Sequence, residues 1–159
     1  MEQPPRNAYA PPASVVGDSE LKAPNGKLYT PTQIRLGSFL GGPIAAVYFL
    51  RENFRVLGRL PEVRTTLIWG TAVVIGLVAL LPFLPDHFPN YIVPLAYSYA
   101  AGAVASKWQL NKEAILDSGN YRLQSNWRVF WLSLLLLLAF TLVIVAELIC
   151  LNSIGIIHI

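Results

Sequence analysis

From Val129 to Leu151 the chain carries a single charge, Glu147, in a run dominated by Leu, Val, Ile, Phe and Trp. A bilayer core is about 30 Å thick, and an α-helix needs about 20 apolar residues to cross it. The run is long enough, and it points to an integral membrane protein. Composition agrees. Of 159 residues, 54% are hydrophobic and 13% charged, against about 25% charged in a soluble domain. The length allows one membrane domain and little else. The two histidines are far apart, and the lone cysteine, Cys150, reads as a packing residue. No metal set or nucleophile–base pair is visible, and no cofactor is implied. No basic run interleaved with aromatics suggests nucleic acid.

Residues 1–29 differ from the rest. Pro4, Pro5, Pro11, Pro12 and Pro24 are scattered among Asn, Ser, Gly and balanced charges. Such a stretch buries too little apolar surface to offset its ordering entropy, so it reads as a disordered tail. Residues 30–159 read as a helical membrane domain. Thr30-Pro31-Thr32-Gln33 has the pattern of a capping box with proline at the first helical position. The helix that follows meets Gly41-Gly42-Pro43 in mid-span, where proline removes an amide donor and clashes one turn back. Two forms satisfy this pattern. One is a kinked crossing, the form preferred here. The other is a re-entrant pair of half-helices, which requires the broken backbone to be buried in protein or to face a watery cavity.

Three further segments are predicted to cross, at about 66–84, 91–106 and 128–151. With the first at about 31–50, the expected fold is all-α with four transmembrane helices, the first kinked or re-entrant at Gly41-Gly42-Pro43. Ala96 and Ala100, like Ser98 and Gly102, place small residues four apart on the third helix, which lets helices approach closely. That helix is predicted to run on to Asp117 and to stop at Gly119. Ser125 is a candidate N-cap for the last one.

Short loops rich in Lys and Arg stay in the cytoplasm. Residues 51–66 hold Arg51, Arg55, Arg59 and Arg64, and residues 107–128 hold Lys107, Lys112, Arg122 and Arg128. These are eight of the twelve basic residues, so both loops are assigned to the cytoplasm. If the first segment crosses, the N-terminus lies outside; if it is re-entrant, the N-terminus lies inside and three spans remain.

Tyr29-Thr30-Pro31-Thr32-Gln33-Ile34, Phe39-Leu40-Gly41-Gly42-Pro43 and Asn53-Phe54-Arg55-Val56-Leu57-Gly58, with Pro85-Asp86-His87-Phe88-Pro89-Asn90 and Ser125-Asn126-Trp127-Arg128, resemble a group of small uncharacterised bacterial inner-membrane proteins. The resemblance covers residues 29 to about 145 and departs at the proline-rich tail. It implies a multi-pass location in the bacterial inner membrane and no particular reaction.

Charges inside a bilayer are costly, about 2.5–3.5 kcal/mol at a helix centre on insertion scales. Arg35 and Glu147 are therefore candidate functional residues, with Gly41, Gly42 and Pro43 at the break. A first segment that crosses would put Arg35 and Glu147 on the same outer side, where they could pair. Arg51, Arg55 and Arg59, spaced by four, would share one helical face against lipid headgroups or a cytoplasmic partner. Asp86-His87 reads as a turn rather than an acid–base dyad. The expected function is non-catalytic, through protein–protein or helix–helix contacts as a scaffold or accessory subunit. The expected partners are the bilayer and a membrane protein or second copy of the chain. The alternatives are a small transporter or channel using the broken helix with Arg35 and Glu147, and an immunity protein against a membrane-active toxin.

Overall fold

The computed structural model describes residues 26–85, 87, 89 and 91–155. In order these form β1 (Gly26–Leu28), α1 (Pro31–Val56), α2 (Leu60–Leu80) with a 3₁₀ turn at Leu81–Phe83, α3 (Ile92–Trp108), α4 (Lys112–Asp117), β2 (Tyr121–Leu123) and α5 (Asn126–Ser153). The fold is mostly helical. Regular structure is present four residues before Thr30, where β1 pairs with β2; residues 1–25, most of the expected tail, lie outside the described residues.

The capping box forms. The Gln33 amide donates to Thr30 Oγ1 at 3.1 Å, and the Thr30 amide donates to Gln33 Oε1 at 3.0 Å. Eleven residues on, α1 breaks. Gly42 has φ 79° and ψ −178°, a region open essentially to glycine alone. Pro43 then opens a new helix with a ring that fits the first helical position. The kinked crossing predicted for 31–50 does not form, because the chain reverses. The Tyr29 amide donates to Asn53 Oδ1 at 2.9 Å, whereas a straight helix would separate residues 29 and 53 by about 36 Å. α1 is thus a hairpin with a first arm (31–41), a tip at Gly42 and a second arm (43–56). The arms pack closely, for a methyl on Gly37 would lie 2.6 Å from the Phe49 ring, and β1 packs on the end of the second arm, where a methyl on Gly26 would lie 2.6 Å from Val56.

α2, α3 and α5 each pack chiefly on this hairpin and only sparsely on one another. α5 runs parallel to the first arm. Parallel pairing of β1 with β2 brings the two starts together, Gln33 Nε2 donates to Asn126 Oδ1 at 2.6 Å, and further along Gly41 meets Ser133 and Gly42 meets Phe140. α3 runs antiparallel to the first arm, with Gly102 beside Arg35. The core lies where these elements meet, around Tyr29, Ile34, Phe49, Leu50, Ala101 and Ala105.

Several boundaries differ from expectation, each for a local reason. α2 begins at Leu60 rather than near Thr66, because Pro61 sits in its first turn, where no amide bond is lost. α3 stops at Trp108. Gln109 is extended, and Asn111 caps a separate α4 by accepting from the Ala114 amide at 2.8 Å. Gly119 (φ 62°) follows α4. Ser125 occupies the N-cap position of α5 without a side-chain cap bond. On α3, Ser98 and Gly102 face inward with Ala101 and Ala105, while Ala96 and Ala100 are exposed. Among the described residues, two helices are long and apolar enough to cross a membrane, Leu60–Phe83 and Asn126–Ser153, not four. α3, at 17 residues, is shorter, and each arm of the hairpin is shorter still.

Candidate functional site at the mouth of the hairpin

The base of the hairpin is closed by amide side chains. Asn53 is 1% exposed. Its Oδ1 accepts from the Tyr29 amide, and its Nδ2 donates to Tyr29 O at 2.7 Å and to Gln109 Oε1 at 2.8 Å. The primary amide bonds both backbone groups of Tyr29 as a neighbouring strand would. Gln109 Nε2 then donates to Leu50 O at 3.1 Å, tying α3 to the second arm. On the other side Gln33 uses its whole amide, for beyond the capping box Nε2 donates to Gln124 O at 2.8 Å as well as to Asn126. A buried amide such as that of Asn53 is costly unless satisfied, and its partners, Tyr29 and Gln109, are in reach only when the hairpin is closed and α3 is in place.

Tyr29, fully buried, lies edge-on to Phe49 with ring centroids 4.9 Å apart. Its hydroxyl sits near Gln124 and Arg128 without a well-formed hydrogen bond. Burial pushes the phenol above its ordinary value, and the Arg128 charge offsets this in part.

Arg35 lies one turn into the first arm, half-buried against α3. A methyl on Gly102 would lie 3.2 Å from its Nε, and its guanidinium stands 5.0 Å from the Tyr99 ring centroid. That stacking is its one polar interaction among the described residues. The Gly41-Gly42-Pro43 tip is buried. The space beside it, about 240 Å³, is walled by Pro43, Leu77, Leu81, Tyr97, Phe140 and Ile144 and is almost wholly apolar. Glu147 is at the far end of α5. One carboxylate oxygen, Oε2, is enclosed with no hydrogen-bond partner among the described residues. It lies about six helical turns, roughly 30 Å, beyond Asn126, which is bonded beside the start of the first arm. Arg35 and Glu147 therefore do not share a side, and the pairing expected from a crossing first helix is corrected by the reversal at Gly42.

The arginine stripe is also broken. α1 ends at Val56. Gly58 (φ 71°) turns the chain, the Arg59 amide donates to Phe54 O at 2.9 Å and the Gly58 amide to Arg55 O at 3.1 Å. This is a Schellman cap. It places Arg59 beyond the helix, where it bonds Glu62 at 2.6 Å and also donates to Trp108 O. Arg51 and Arg55 share Glu52, at 4.0 and 2.7 Å. His87 is exposed, and Asp86 lies outside the described residues. Cys150 is exposed rather than packed. Among the described residues no group of three His, Cys, Asp or Glu side chains could hold a metal ion.

Sequence reasoning missed Asn53, Gln109, Gln33 and Gln124 as a set. Three of them flank apolar segments and read singly as solvated ends. Comparison with known proteins finds no matching family model, no matching curated protein and no matching solved structure. What unites the FLGGP and NFRVLG elements is the fold itself: one makes the tip of the hairpin, the other its closing end.

Proposed function

We propose that this chain is a multi-pass protein of the bacterial inner membrane in which α2, α3 and α5 cross, α1 is a re-entrant hairpin, and function is non-catalytic, through contacts with neighbours in the membrane. The observation that carries the reading is the bareness of the long helices. In α2 only Val78 is buried, and in α5 only Val129 and Ser133. Water-facing apolar surface on that scale would associate or aggregate; lipid accommodates it.

The hairpin supports the same reading. Non-helical backbone at membrane depth is tolerated where protein buries it, and the tip is buried. α2 and α5 start at the same end of the molecule, since Arg59 bonds the end of α3 and Gln33 bonds the start of α5. If both cross, the chain must return between them, and α3 is the segment that does so. Trp127 and Trp131, exposed and clustered with Phe130 at the start of α5, suit the bilayer interface. Transport through the break is disfavoured by the apolar surroundings of the tip and by the separation of Arg35 from Glu147.

The test is purification of the full chain in mild detergent after cross-linking in membranes, with mass measured by light scattering. A complex with a second copy or another membrane protein is expected. A strictly monomeric species that captures no partner would refute the contact role.

A further inference from the structure

Among the cations of α1, Arg35 alone forms no ion pair with the described residues; Arg51 and Arg55 share Glu52. A half-buried guanidinium brings five donors, and leaving that charge uncompensated is costly. A cavity of about 830 Å³ opens onto it, lined among others by Gln33, Arg35, Ser106, Lys112, Glu113 and Asn126. Lys112, exposed at the start of α4, also has no ion pair among the described residues. The two cations outnumber the one carboxylate.

Two apolar crevices lead from this cavity along the first arm, one on each side of Leu36, which stands 63% exposed as a ridge between them. The larger, about 350 Å³, lies between α1 and α3, beside Phe39, Leu95 and Tyr99, and shares Thr32, Arg35 and Leu36 with the cavity. The smaller, about 170 Å³, lies between α1 and α5, beside Leu40, Val129 and Phe130, and shares Gln33, Leu36 and Asn126. Ser133 borders it with a fully buried hydroxyl that has no hydrogen-bond partner among the described residues.

We infer that this three-part space is a site for one anionic glycerophospholipid, its phosphate at Arg35 and Lys112 and one acyl chain in each crevice beside Leu36. A charged, polar head cavity that divides into two apolar channels matches a two-chain lipid and no small soluble anion. The phosphate supplies the missing counter-charge, and the chains cover apolar walls that the protein leaves open. The site rests on the membrane reading above, and the two fail differently: a misplaced topology is read by side-specific labelling in cells, a missing lipid site by the purified protein.

The test is native mass spectrometry of the full chain in neutral detergent with equimolar phosphatidylglycerol and phosphatidylcholine of the same chains. One retained lipid per chain is expected, with phosphatidylglycerol preferred. Arg35→Gln and Lys112→Gln should each lower that preference about fivefold, as expected for removing one cation that meets an anionic headgroup. Arg35→Lys should keep most of it. Lysophosphatidylglycerol should bind more weakly, and glycerol phosphate should not displace the lipid. Equal retention of the two lipids, or unchanged preference in Lys112→Gln, overturns the proposal; Lys112 lies outside the hairpin packing, so this variant decides the matter even if Arg35→Gln misfolds. Full displacement by glycerol phosphate also overturns it, by showing a simple anion site.

Discussion

Asn53 shows how much of this fold hangs on one side chain. Its amide closes the hairpin on Tyr29 and reaches α3 through Gln109. Asn53→Ala leaves buried backbone groups of Tyr29 without partners, each costing about 1–3 kcal/mol. A loss of stability of about 2–4 kcal/mol is expected, read as a lower unfolding midpoint in detergent. Asn53→Asp should fare no better, because a carboxylate has no donors for Tyr29 O and Gln109 Oε1. Tyr29 makes a contrasting case. Its hydroxyl is buried without a well-formed bond, so Tyr29→Phe should keep the edge-on packing on Phe49 at little or no cost in stability near neutral pH. The difference emerges at high pH. Burial raises the Tyr29 value in the folded state, so its contribution is complete below the unfolded value of about 10 and is lost as pH rises through the folded one. The variant should lose that alkaline slope, measured as unfolding midpoint against pH.

At the scale of the element, three glycines predict three outcomes. Gly42→Ala forces a side chain into φ 79°, ψ −178° and brings it to 3.0 Å from Phe140. Trimming Phe140 cannot restore it, since the strain is in the backbone, at about 1–3 kcal/mol. Gly41→Ala puts a methyl 2.8 Å from Ser133 O and 2.9 Å from Ser133 Cα. Those are backbone atoms that no side-chain change relieves, so α5 must move away, at about 1–3 kcal/mol or more. Gly76→Ala meets nothing within 4 Å and should be neutral or stabilising by up to about 1 kcal/mol, the helix-propensity gain. Melting the three variants side by side checks the order. These glycines also mark the limit of legibility. The capping box at Thr30 and the break at Gly41-Gly42-Pro43 are local patterns and could be read directly. Whether the break kinks or reverses the chain is decided by Tyr29 and Asn53, 24 residues apart, and no local pattern carries that. β1 and β2, at three residues each, are too short to show alternation. Arg59 looked like part of a stripe because spacing by four assumes a helix that Gly58 ends.

At the scale of the whole molecule, the reversal in α1 reorganises the charge. Twelve Lys and Arg residues occur in the chain; Arg6 and Lys22 lie outside the described residues, and the other ten fall at the end where the hairpin opens or within about two turns of it. Lys27 and Arg35, which a crossing first helix would have put on the far side, instead lie at the same end as the two basic loops. On the membrane topology proposed above, charge bias and packing would agree on a single orientation, with the hairpin mouth in the cytoplasm. Single cysteines on a Cys150→Ser background test this with a membrane-impermeant maleimide. His87→Cys and Ser153→Cys should label on intact spheroplasts, and Lys27→Cys and Arg64→Cys only after permeabilisation. Lys27→Cys is the decisive position, because β1 is held beside β2 by parallel pairing. Labelling it from outside while Arg64→Cys stays protected would mean that α1 crosses after all. The bonds from Tyr29 to Asn53 and from Gln33 to Asn126 could not then both exist, and the lipid cavity at Arg35 would have no mouth.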